Sequence, residues 1–118
     1  MTYAYTVLVA DDDPTVLEVV AQILREPGYA VVTARDGFEA IRILAERHVD
    51  LMIADIKMPG LDGAELASQA KVMRPRLHVI YITGFLDQRQ KARSNPLLEK
   101  PIRAAALIEA IRKTMSAA

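Results

Sequence analysis

The amino-acid sequence predicts an α/β fold, a parallel sheet with helices on both faces, and three observations carry that reading. Short runs that are apolar throughout recur along the chain, without the alternation of a strand that has one wet face. Segments of helical period separate them. The conspicuous polar residues, Asp11, Asp12, Asp55, Thr83 and Lys100, each end or follow one of the apolar runs.

The first strand is Tyr5 to Ala10. From Pro14, "PTVLEVVAQILRE" reads as a helix with Leu17, Val20 and Leu24 on one face. Pro14 suits a first helical turn and Asp13 its N-cap, and "PGY" ends the helix. "YAVVTA" is the second strand. "DGFEAIRILAERH" is the second helix, with Phe38, Ile41, Leu44 and Ala45 expected on its buried side. "VDLMIAD" is a buried third strand ending at Asp55, and Pro59, Gly60 and Gly63 in "MPGLDG" mark a loop. A third helix, about 64–74, carries Leu66, Ala70 and Met73 as its stripe.

"LHVIYIT" is the fourth strand and "LLEK" a short fifth. The last helix, about 103–115, spaces Leu107, Ile111 and Met115 by fours. Between the fourth and fifth strands, "GFLDQRQKARSN" offers only Phe85, Leu86 and Ala92 as apolar anchors. A helix there is expected to be short, loosely attached and the most mobile element.

A chain of 118 residues is long enough for one domain with a single good core. Lysine plus arginine and aspartate plus glutamate both number 15, so no basic surface is advertised for nucleic acid, and direct nucleic-acid binding is not expected. No apolar run reaches membrane-helix length and no basic, signal-like segment opens the chain; the expectation is no membrane insertion and a cytoplasmic location. The absence of cysteine removes disulfides, thiolate nucleophiles and thiolate metal sites together. His48 and His78 have no ligand-like spacing and read as surface or boundary residues, and the five methionines as core or turn filling.

In an open parallel sheet, ligands bind beyond the carboxyl ends of the strands. Asp11, Asp12, Asp55, Thr83 and Lys100 all fall on that edge. Clustered carboxylates repel one another unless a positive charge sits among them, and hard oxygen donors suit Mg²⁺. A lysine and a threonine hydroxyl across the crevice would complete a site for a phosphoryl group, whose transfer depends on positioning and charge neutralisation. One aspartate could then act as nucleophile and form an acyl phosphate.

Four motifs, "VLVADDDP", "LMIADIKMPGLDG", "VIYITG" and "LLEKPI", span almost the whole chain and resemble the receiver domains of two-component response regulators. That resemblance implies a flavodoxin-like, doubly wound (βα)5 fold of strand order 2-1-3-4-5 with a short or irregular fourth helix. It implies Asp55 as phosphoacceptor, Asp11 and Asp12 as Mg²⁺ ligands with Asp55 and the Lys57 carbonyl, and Thr83 and Lys100 as partners of the phosphoryl group. Lys100-Pro101 is expected to be a cis peptide. Gly84 leaves space beside the site, and Lys57 and Phe85 are candidates for setting the lifetime of the phosphorylated form. The implied partners are a histidine kinase or a histidine phosphotransfer protein and an unnamed downstream protein, with at most a weak homodimer.

The sequence departs from the family at Leu97, which stands where many receivers carry an aromatic residue, and the interval from Thr83 to Lys100 is short. "PLLEKPI" is similar to receivers attached to hybrid kinases. Two other readings exist. Asp11, Asp13 and Thr15 match the D-x-D-x-T signature of haloacid-dehalogenase-like phosphatases, but that leaves Asp55 unexplained and lacks a late acidic pair. A receiver-like binding module without phosphorylation is the other, and the complete set of acids, Thr83 and Lys100 argues against it.

Overall fold

The computed structural model describes residues 5–84 and 95–116. Five strands, β1 (Thr6–Ala10), β2 (Ala30–Ala34), β3 (Leu51–Asp55), β4 (His78–Thr83) and β5 (Leu97–Glu99), form one sheet of order β2-β1-β3-β4-β5. Every pairing is parallel. The described helices are α1 (Pro14–Arg25), α2 (Gly37–Glu46), α3 (Gly63–Met73) and α4 (Ala104–Ser116). This is the flavodoxin-like order expected above. The segment expected to hold the irregular helix, with Phe85 in it, lies outside the described residues.

Burial on both faces explains the apolar strands. Successive side chains point to opposite faces, so Leu8, Ala10, Met52, Ala54, Val79 and Tyr81 join α2 and α3 in one core. Val7, Val9, Leu51, Ile53, Ile80 and Ile82 join α1 and α4 in the other. Each fully buried leucine or isoleucine contributes about 1.5–3 kcal/mol. The chain steps outward from β1 to β2 and returns across β1 to β3, so the right-handed crossovers put α1 and α2 on opposite faces. The winding therefore reverses between β1 and β3, which opens a crevice at their carboxyl ends.

Local chemistry sets the helix ends around that crevice. Asp13 is the N-cap of α1, its side chain accepting from the Thr15 N–H, with Pro14 opening the helix. Gly28, at φ 107°, ends the same helix in the left-handed region. Asp36 caps α2, and Asp62 and Glu65 form a capping box on α3.

Two expected faces are corrected. On α2 the buried residues are Gly37, Ala40 and Leu44, while Phe38 and Ala45 are exposed. The helix is turned because Gly37, which has no side chain, backs directly onto Leu61. On α3, Ala67 is buried with Leu66 and Ala70, whereas Met73 at the last turn is exposed. β2 is an edge strand, so it is only partly covered.

Candidate phosphoryl-transfer site

β3 delivers Asp55 as its last residue, in register with Ile82 of β4, and the carboxylate is 5% exposed. Its Oδ1 accepts the Lys57 N–H at 3.1 Å and its Oδ2 accepts from Lys100 Nζ at 3.0 Å. Asp11 follows β1 directly and is fully buried. Its Oδ1 accepts the Asp13 N–H at 2.9 Å, and its Oδ2 lies 2.8 Å from Lys100 Nζ. Asp12 is exposed at the rim. Asp11, Asp12 and Asp55 each offer a carboxylate oxygen within 4.8 Å of the others.

Lys100 stands one residue beyond β5. Its backbone N–H donates to the Thr83 carbonyl at 2.8 Å, and the Lys100-Pro101 peptide is cis. Thr83 ends β4 and is fully buried. Among the described residues, a Cβ at Gly84 would meet only the Lys100 Cδ, at 3.9 Å, so the glycine leaves ordinary van der Waals room beside the lysine. Leu97 is half-buried, pairs with Tyr81 and packs on the core shared by α2 and α3. It fills space there as an aliphatic residue and brings no aromatic ring to the crevice.

The electrostatics are unbalanced. Burial pushes the Asp55 carboxyl above its ordinary 3.8, and the Asp11 charge adds to this; the Lys100 contact and the Lys57 N–H offset only part of it. For Lys100, burial alone would lower the pKa, but close contact with Asp11 and Asp55 outweighs it and holds the ammonium above its ordinary 10.5. Among the described residues, three carboxylates against one ammonium leave a surplus of negative charge. Asp11 Oδ2 is also buried, with the Lys100 ammonium 2.8 Å away as its described partner. An all-oxygen donor set of three carboxylates, two of them sharing one ammonium, fits a hard divalent cation.

The structure thus brings together Asp11, Asp12, Asp55 and Lys100, and sets Thr83 and the Lys57 backbone beside them. Asp13 is spent on the α1 cap and is not part of the carboxylate cluster, which removes the geometric basis of the phosphatase-like reading. His48 is exposed before β3 and His78 is half-buried at the start of β4, both at the opposite edge of the parallel sheet from the strand ends that form the site.

Sequence reasoning placed Gly63 only in a turn. In the structure its N–H donates to the Ile56 carbonyl at 2.8 Å, and a Cβ there would collide with the Asp55 carbonyl and stand 2.8 Å from Ile56 Cα. Gly63 therefore seats the loop that follows Asp55. The glycine of "LDG" was the available signal, but the contact it makes lies eight residues back along the chain.

A match to the response regulator receiver domain family covers residues 7–112. The transcriptional regulatory protein GlrR of Escherichia coli K12 is 36% identical over 88% of this chain, which spans 24% of GlrR. The response regulator receiver protein CpdR of Brucella abortus is 32% identical over 95% of this chain and 98% of CpdR. Among solved structures, a CheY-like receiver domain protein from Methanospirillum hungatei superposes with a TM-score of 0.89 at 28% identity, over 97% of this chain and 95% of that one. TrrA from Thermotoga maritima, crystallised in complex with Mg²⁺-BeF, gives 0.86 at 29% identity, over 93% and 98%. With the strand order and the strand-end carboxylates in place, these matches establish that the chain belongs to the response regulator receiver domain family.

Proposed function

We propose that Asp55 accepts a phosphoryl group from a phosphohistidine of a histidine kinase or a histidine phosphotransfer protein, and that the change in charge alters contacts with a downstream protein. One observation carries the reading: a buried strand-end carboxylate, Asp55, shares a single ammonium with Asp11 at 3.0 and 2.8 Å while Asp12 lines the same crevice. A carboxylate kept only for the fold would be matched by its own donors.

In the transfer, an Asp55 oxygen forms a bond to phosphorus as the P–N bond to the donor histidine breaks, and the imidazole leaves with the electron pair and takes a proton from solvent. Lys100 sits where it neutralises a phosphoryl oxygen, and Thr83 would donate its hydroxyl to another. Asp11, Asp12, Asp55 and the Lys57 carbonyl would hold Mg²⁺, which supplies charge neutralisation of the phosphoryl oxygens when bound. The Mg²⁺-BeF complex of TrrA supports that choice of metal. The added charge, about −1.5 to −2 by analogy with other phosphorylated side chains, draws Thr83 and Lys100 inward and favours one of two states.

Hydrolysis of the acyl phosphate resets the domain. Lys57, exposed beside Asp55, is the described candidate for setting that rate, with Gly84 leaving room for water. The cytoplasm, where such donors are charged from ATP, is the proposed location; no described helix is long and apolar enough to cross a membrane.

The test is intact mass after incubation with Mg²⁺ and a small-molecule phosphodonor, beside Asp55→Asn and a chelator control. Gain of one phosphoryl group that needs both Mg²⁺ and Asp55 is the expected result. If labelling persists in Asp55→Asn, the assignment of the acceptor is wrong. If neither a phosphodonor nor beryllofluoride changes the protein, it is a binding module.

A further inference from the structure

Phe38 is 61% exposed and takes no part in the buried face of α2. Single exposed apolar side chains are ordinary on protein surfaces, and Val72, 83% exposed on α3, is one. What distinguishes Phe38 is the loop its ring touches.

That loop, residues 56–62, follows Asp55 and places the Lys57 N–H on Asp55 Oδ1. Its base is closed by the Gly63 N–H on the Ile56 carbonyl. At its tip Gly60 adopts φ +76°, and a Cβ there would lie 3.1 Å from Phe38 Cε2. Leu61 rests on Gly37 so closely that a Cβ at Gly37 would stand 2.8 Å from the Leu61 carbonyl oxygen. Both outer contacts come from the first turn of α2, an element that contributes nothing else to the site. That turn is itself held by Asp36, which accepts the Glu39 N–H at 2.8 Å, and by Glu39, which accepts the Arg35 N–H at 2.8 Å.

A glycine populates positive and negative φ about equally, so a left-handed Gly60 does not hold its own conformation. An external contact has to select it. We propose that Phe38 is a positioning residue for the phosphoacceptor loop: its ring, set on the capped first turn of α2, holds Gly60 in the left-handed conformation and so keeps the Lys57 amide and carbonyl beside Asp55. The consequence for phosphorylation rests on the function proposed above; the positioning itself does not.

The experiment compares Phe38→Ala, Phe38→Tyr and Val72→Ala with the parent. Amide hydrogen exchange at Lys57 and Gly63 is measured without metal, followed by Mg²⁺ titration by NMR and the rate of phosphorylation at saturating phosphodonor. In Phe38→Ala, exchange at both amides should rise about tenfold, as expected for local opening of a single loop. Mg²⁺ half-saturation should move up several-fold and the phosphorylation rate should fall several-fold. The melting temperature should stay close to the parent value, because the ring is mostly solvated. Phe38→Tyr, which keeps the ring, should restore all three readouts, and Val72→Ala should change none.

Unchanged exchange in Phe38→Ala overturns the proposal, as does loss of the fold in that variant or failure of Phe38→Tyr to restore the loop. Faster exchange in a protein whose parent takes no phosphoryl group supports the positioning role and overturns the proposed function instead.

Discussion

β3 is bracketed by two aspartates with opposite fates. Asp50, just before the strand, uses its carboxylate for the fold: Oδ2 accepts the Thr6 N–H at 2.8 Å and Oδ1 lies 2.7 Å from His48 Nε2. Its backbone joins in, donating to the Thr6 carbonyl and accepting from the His78 N–H, so one residue laces the starts of three strands. Asp55, at the other end, is more deeply buried and, among the described residues, shares its one side-chain cation with Asp11. Burial raises its pKa in spite of that cation. A carboxylate surrounded by donors that are its own stabilises; one left short of positive charge waits for a ligand.

The sharpest way to break this comparison is to neutralise each aspartate in turn. Asp55→Asn should abolish phosphorylation, read by intact mass. Asp50→Asn should keep it, while losing about 1–2 kcal/mol of stability through the weakened bond to Thr6, read by urea unfolding.

Next in size is Lys100→Met. It leaves Asp11 and Asp55 facing each other without a cation, and should cost about 3 kcal/mol in the absence of metal. Adding Mg²⁺ should return more stability to this variant than to the parent, because the variant's carboxylates then depend on the ion alone. Equal gains in the two proteins would mean that the cation site does not involve these carboxylates.

Asp13→Ala removes a cap outside the cluster. The expected loss is about 1 kcal/mol with phosphorylation intact; loss of phosphorylation would draw Asp13 into the chemistry.

The smallest effect concerns pH. The folded pKa of Asp55 lies above the unfolded value, so between the two the native state holds a proton that the unfolded chain has released. Metal-free stability should therefore fall as pH rises through that interval and remain lowered at neutral pH. Asp55→Asn, free of this cost, should melt a few degrees higher at pH 7, with the advantage shrinking in acid. Lys100 gives a slope of the same sign at the alkaline end: its raised pKa contributes stability that is complete below 10.5 and lost as pH climbs through the folded value. A melting-temperature profile with and without chelator reads both.

Much of this was legible in the sequence because fold and site follow from one pattern. Apolar runs that do not alternate require a sheet covered on both sides, and a parallel sheet sends all its strand ends to one edge. Asp11, Asp55, Thr83 and Lys100 could be placed together on that ground alone. The face of α2 was not legible. A stripe starting at Phe38 and one starting at Gly37 differ by one helical step, and what decides between them is that only a glycine can lie against Leu61. Gly63 is similar, since its partner is a backbone carbonyl that carries no sequence signature. The role of Asp50 carries no sequence signature either, because the contacts that tie strands together run to backbone groups of β1 and β4.

Lys100 has one further consequence, mechanical more than chemical. Its backbone is fastened to Thr83 at the end of β4, and its side chain reaches the ends of β1 and β3. Four strands of the sheet thus end on, or beside, a single residue, and the shortest of them, β5, is the edge. A group arriving at Asp55 that draws the ammonium even slightly pulls on a three-residue strand with one neighbour. Under the proposed function, displacement begun in the crevice would be spent at that rim, on the strand with the fewest pairings among the described residues.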